Sequence, residues 1–114
     1  MSTSTPSSGE VIDVDLSDDA VERTKTKKLF TSDHIDVIRM FLPEGKQIAE
    51  HTAKGEISVH CLEGLVEFTV SGKTVRLSKG RMLCLSNREP HSLHALEDSS
   101  VLLTLLRIPD RPVE

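Results

Sequence analysis

Between residues 35 and 106 the chain consists of short apolar runs that are separated by turn-forming residues. The turns carry Gly, Pro, Asn and Asp, as in Pro43-Glu44-Gly45 and Ser78-Lys79-Gly80. No convincing long helical pattern interrupts the series. Short runs spaced about 8–12 residues apart are typical of an antiparallel sandwich or a closed barrel. The sequence predicts strands over 35–42, 46–51, 57–63, 65–70, 73–77, 81–85, 91–96 and 101–106.

Two of these runs predict a hairpin with a two-residue turn. In 65–70, Val66, Phe68 and Val70 alternate with polar residues, so one face of the strand is apolar. Ser71-Gly72 follows, and 73–77 returns.

Other runs, such as 35–42 and 101–106, are apolar on both faces. One face can fill a barrel, and the other must also be covered. We expect a homodimer to cover it. The alternative is that the N-terminal segment does so.

The N-terminal segment differs from the rest of the chain in charge. Residues 1–22 carry six acidic and no basic side chains, whereas the remainder carries 14 basic and 12 acidic ones. Residues 1–9 are rich in Ser, Thr, Pro and Gly, which bury little apolar surface. We therefore predict a disordered acidic arm over 1–22 and a barrel domain over 23–114. The sequence also permits a short helix beginning near Ser17, with Ser17 or Asp18 as its N-cap.

Composition argues against several classes of function. There is no Trp or Tyr, three Phe, and no basic stripe, so nucleic acid is not an expected partner. No long apolar segment or signal peptide is apparent, so we expect no membrane partner and a cytoplasmic protein. Cys61 and Cys84 lie in predicted strands, where buried, reduced thiols are the usual state. Nucleophile-elbow, Walker, dinucleotide-binding and CxxC motifs are absent from the sequence.

The spacing of glycines and histidines resembles the two motifs of the cupin family. Five residues stand in register: Gly45, His51 and Gly64 with the first motif, Gly80 and His91 with the second. With the strand pattern, the resemblance extends over about residues 29–108. It implies an all-β fold, the double-stranded β-helix or jelly-roll barrel of cupins.

The chain departs from these motifs where the family holds a metal. The usual cupin site consists of three His and one Glu. Of these four ligand positions, only those of His51 and His91 hold the expected residue. In the first motif, Ala53 replaces the second His and Ile57 replaces the Glu. In the second motif, Ser86 and Arg88 replace the Pro and the Gly, and Ala95 replaces the Asn.

A rebuilt metal site depends on the register of the strand at 57–63. If Glu56 faces inward, so does His60, and both could join His51 and His91 around one divalent ion: Zn, Fe, Mn, Ni or Cu. If Ile57, Val59 and Cys61 face inward instead, the interior is apolar there and His60 points outward. The hydrophobic pattern favours this second register for filling the core. His94 follows His91 by three residues and should point to the opposite face.

Two kinds of function remain open. One is a binding protein that holds a small molecule or a divalent metal in the barrel cavity, with no assigned catalytic residue. The alternative is a metal-dependent cupin enzyme, of oxygenase or isomerase type, that uses a rebuilt His site. Whether the chain is an enzyme is left open, since a fold does not by itself define a reaction.

Overall fold

The computed structural model describes residues 6–15 and 19–107. Within these ranges one short helix, α1 (Ala20–Arg23), precedes the strands. Asp19 caps it by accepting hydrogen bonds from the amides of Val21 and Glu22. The strands are β1 (Lys27–Thr31), β2 (Ile35–Leu42), β3 (Gln47–His51), β4 (Gly55–Glu63), β5 (Leu65–Val70), β6 (Lys73–Ser78), β7 (Met82–Leu85), β8 (His91–Ala95) and β9 (Ser99–Arg107).

The strands form two antiparallel sheets that enclose one core. The first sheet has the order β1-β2-β9-β4-β7, and the second has the order β3-β8-β5-β6. Inward-facing side chains of both sheets make up the core: Leu42, Ile57, Val59, Cys61, Val66, Phe68, Leu77, Leu85, Ala95 and Val101. The predicted all-β jelly roll is therefore confirmed, as is the hairpin at Ser71-Gly72, which joins β5 to β6.

The strand prediction was incomplete at β1 and at the starts of β4 and β9. β1 was not predicted, because the register against β2 shifts between Lys28 and Phe30 and the irregularity hides the alternation. β4 begins at Gly55, two residues before the predicted start. Ser17 and Asp18, the predicted N-caps, lie outside the described residues, and the division into an arm over 1–22 and a barrel over 23–114 stays a prediction.

β9 runs between β2 and β4 and pairs with both along their lengths. Glycines lie at both ends of β4 where the two backbones approach closely. A Cβ on Gly55 would lie 2.0 Å from the Leu106 carbonyl oxygen. A Cβ on Gly64 would lie 2.4 Å from the Asp98 carbonyl oxygen. Because only glycine permits these close backbone approaches, Gly55 and Gly64 fix how β4 meets the chain at the two ends of β9.

The outer face of the five-stranded sheet is partly covered. Arg39, 7% exposed, donates from Nη1 to the carbonyl oxygen of Asp15 at 3.3 Å, so the N-terminal segment lies on part of this face. Ile35, Met82 and Leu106 remain exposed. The homodimer stays a prediction. Within the described ranges, no helix has the length and apolar character to cross a membrane.

Gly64→Ala should destabilise the protein more than Gly72→Ala. Both glycines have positive φ, 96° and 82°, so both variants carry backbone strain. Of these two glycines, only Gly64 has other atoms within 4 Å of the position that a Cβ would take. We expect an additional loss of about 1–3 kcal/mol in the free energy of unfolding, measured by urea denaturation. Equal losses in the two variants would contradict the tight contact at Gly64.

Asp36 links the ends of β1, β2 and β9. The Thr31 hydroxyl donates to Oδ1 of Asp36, and the Arg107 guanidinium donates to Oδ2. Arg107 also donates to the Ser32 carbonyl at 2.8 Å. The Thr31 hydrogen bond does most to lower the pKa of Asp36; burial opposes it, and the hydrogen bond and charge of Arg107 lower the pKa further.

Because the folded pKa of Asp36 is depressed, its carboxylate stabilises the fold above the unfolded pKa of about 3.9, and this contribution disappears as the pH falls through the folded value. Asp36→Asn should therefore lower the melting temperature at neutral pH. The difference from the wild type should shrink in acid, as measured by calorimetry across a pH series. A difference independent of pH would rule out the carboxylate as its source.

Candidate functional site

A cavity of about 80 Å³ lies between the two sheets. Two grooves of about 320 and 470 Å³ on the outer sheet faces are larger but more open to solvent. The cavity combines apolar walls with two polar residues, the pattern typical of ligand sites. It is lined by Met40, Ile48, His51, Ile57, Val59, Phe68, Leu85, His91, Leu93, Val101 and Leu103.

The two polar residues of the cavity are His51 and His91, which lie opposite each other on neighbouring strands. His91 begins β8, and with Leu93 and Ala95 it points inward. The register of β3 shifts between Ile48 and His51, and His51 thereby pairs with His91. The ring centroids are 4.3 Å apart, with the planes at 59°. His91 is buried and His51 is exposed, so the pair connects the cavity to the surface.

Each imidazole is held by a backbone carbonyl two residues earlier in the chain. His51 Nδ1 lies 3.0 Å from the Ala49 oxygen, and His91 Nδ1 lies 2.9 Å from the Glu89 oxygen. A carbonyl oxygen can only accept, so Nδ1 carries the proton in each bond. No described residue makes a hydrogen bond to either Nε2.

The loop before β8 is organised by two side chains that sequence reasoning missed. Glu89 accepts from the Ser86 amide through Oε1 and from the Ser71 hydroxyl through Oε2, both at 3.0 Å. Asn87 Oδ1 accepts from the Gly55 amide at 2.8 Å. The sequence identified this segment only as a turn, since its partners are distant along the chain. Glu89 thus fixes the loop whose carbonyl orients His91.

The structure brings His51 and His91 together and places Glu56 and His60 on the other face of the first sheet. Ile57 and Val59 line the cavity. Glu56 and Ser58 instead line the groove on the outer face, and His60 follows the same alternation. The second of the two registers considered for this strand is therefore present. His94 lies on the outer face of its own sheet, as predicted, and borders the groove there.

The donor set of the cavity does not fit a resident divalent metal. Zinc, for example, takes three protein ligands in catalytic sites and four in structural ones. The cavity offers two imidazoles, and the wall beside them is made of Ile57 and its apolar neighbours. In the part of the chain that the structure describes, no group of three or more His, Cys, Asp or Glu could hold a metal.

The two cysteines lie on neighbouring strands but on opposite faces. Cys61 is fully buried in the core, whereas Cys84 pairs with Ser58 and is exposed on the outer face. Both are free thiols. Burial raises the pKa of the Cys61 thiol, so the reactive thiolate is disfavoured there.

Comparison with protein families confirms the resemblance found in the sequence. Residues 38–106 match the family model described as a cupin domain. No curated protein matches the chain.

Solved structures share the fold. A conserved protein of unknown function from Streptococcus pyogenes is 26% identical, with a TM-score of 0.70 and 75% of each chain covered. A cupin superfamily protein from Desulfitobacterium hafniense is 17% identical, with a TM-score of 0.71 and coverage of 74% of this chain and 77% of its own. KdgF from Halomonas sp. is 21% identical, with a TM-score of 0.67 and coverage of 75% and 79%. These likenesses identify a fold but no ligand.

A thiol reagent should distinguish the two cysteines. We expect one thiol per chain to react rapidly with Ellman's reagent in the folded protein and the second to react only after denaturation. Cys84→Ser should remove the rapid phase, and Cys61→Ser should keep it. A rapid phase that survives Cys84→Ser would contradict the burial of Cys61.

Proposed function

The chain belongs to the cupin domain family, and we propose that it is a binding protein that holds one small, mainly apolar molecule between its two sheets. The observation that carries this proposal is the cavity between the sheets, whose walls are apolar except for His51 and His91. An apolar ligand gains free energy by leaving water for such walls, and the histidine pair can orient its polar end.

The cavity limits both the size and the affinity of the ligand. Typical sites for drug-sized ligands occupy about 300–1,000 Å³, whereas this cavity occupies about 80 Å³. That space suits a molecule of about five non-hydrogen atoms. The best small ligands gain about 1.5 kcal/mol per atom, so the ceiling is about 7.5 kcal/mol, or micromolar affinity. We therefore expect the dissociation constant to be micromolar or weaker.

The second candidate is a metal-dependent enzyme of oxygenase or isomerase type. Metal binding is common among cupins, and the Nδ1–carbonyl bonds of His51 and His91 resemble those that orient metal-binding histidines. A third ligand is the missing element of this alternative, because Glu56 and His60 lie on the outer face. The donor set thus favours binding over metal-dependent chemistry.

Xenon tests the proposed cavity directly, since it enters dry apolar cavities. We expect saturable chemical-shift changes in the backbone amides of β4, β5, β8 and β9 when xenon is dissolved in the sample. Leu103→Phe fills the cavity and should abolish these changes. Leu102→Phe adds the same volume to the neighbouring outward-facing position and should preserve them. Melting temperatures of both variants would verify that they fold.

Two results would overturn the proposal: no change with xenon in the wild type, or equal changes in both phenylalanine variants. Metal analysis addresses the alternative. Protein made without a His tag would be incubated with Zn, Mn, Fe, Ni or Cu, desalted and measured by mass spectrometry. Near-stoichiometric metal that is lost in both His51→Ala and His91→Ala would favour the enzyme.

A further inference from the structure

The backbone determines which nitrogen of each cavity histidine is protonated. A neutral imidazole has one donor nitrogen and one acceptor nitrogen. In both His51 and His91 the Nδ1 atom faces a carbonyl oxygen of its own chain segment, two residues earlier. Because the oxygen cannot donate, Nδ1 is the donor in both rings. In the neutral ring, each Nε2 then carries a lone pair and can accept a hydrogen bond.

The protein's own backbone holds this arrangement. Ala49 lies within β3, which pairs with β8. The Glu89 carbonyl belongs to the loop fixed by the Ser86 amide and the Ser71 hydroxyl. Neither carbonyl has to move to fix the orientation and tautomer of its imidazole. A site organised in this way favours one kind of partner without a cost of rearrangement.

The remaining cavity lining supplies no competing polar side chain. Apart from the two histidines, every lining residue is Met, Ile, Val, Leu or Phe. The polar groups of the lining are therefore the two imidazoles, whose ring centroids are 4.3 Å apart. Two neighbouring lone pairs are best satisfied by a group that brings two N–H or O–H hydrogens.

We propose that the ligand carries a hydrogen-bond-donating head group of the primary amide or primary amine class, which donates to the Nε2 atoms of His51 and His91 while its short apolar body fills the cavity. This inference rests on the proposed binding function and adds the chemical class of the ligand. A carboxylate head is disfavoured, because it would set its own lone pairs against those of the two imidazoles.

The tautomers are measurable without a ligand. Long-range proton–nitrogen spectra, recorded about two pH units above the ordinary imidazole pKa of about 6.5, distinguish protonated Nδ1 from protonated Nε2. We expect protonated Nδ1 in both His51 and His91. His94, on the outer face of the second sheet, provides an internal comparison, and single His→Ala variants assign the signals. Protonated Nε2 in either cavity histidine would overturn the inference.

Three probes of matched size then test the head group: propanamide, propanoate and methyl acetate. In EDTA-containing buffer at the same pH, we expect propanamide to bind at least about tenfold more tightly than the other two, because only it can pair both acceptors. His91→Ala should remove this preference, and His94→Ala should retain it. Melting temperatures would show whether each variant is folded.

The outcomes separate the two proposals. If xenon binds but propanamide has no advantage, the ligand class is wrong and the binding cavity stands. If propanoate binds most tightly, the histidines act as donors and the ligand class is again wrong. If neither xenon nor any of the three probes binds, the cavity is not a binding site and both proposals fall together.

Discussion

The pairing of β9 with β2 on one side and β4 on the other is the constraint on which the site depends. Val59 lies opposite Leu103, and Ile38 on the far side pairs with the same residue. Since side chains alternate along a strand, this single register determines which residues of three strands reach the core. Gly55 and Gly64 keep it in place, because no side chain fits where β4 meets the chain around β9.

The register of β4 explains why the fold was more predictable than the site. Strand spacing, turn residues and the glycines at 45, 64 and 80 identified the fold from local signals. In β4, however, Glu56, Ser58 and His60 alternate with apolar residues, and that pattern is compatible with either face being inside. A shift by one residue exchanges the two sets completely. The choice is made by contacts with Leu103 and Leu105, which lie some forty residues later in the sequence.

Other parts of the site were invisible to sequence reasoning because they involve the backbone. The spacing placed His51 and His91 correctly in the barrel, and the structure pairs them across β3 and β8. Their hydrogen-bond partners are the carbonyls of Ala49 and Glu89, and no residue type signals a carbonyl. Glu89 had no distinguishing feature in the sequence, since its contact with Ser71 joins two separate turns.

The same backbone contacts decide what the histidine pair can do. A carboxylate partner would add a negative charge beside each ring, whereas a carbonyl orients the ring without adding a charge. The apolar wall at Ile57 supplies neither a third metal ligand nor a proton donor. What is left is a pair of oriented imidazoles at one end of an apolar cavity. Such a pair distinguishes molecules by the hydrogens they carry, while the enclosing sheets distinguish them by size.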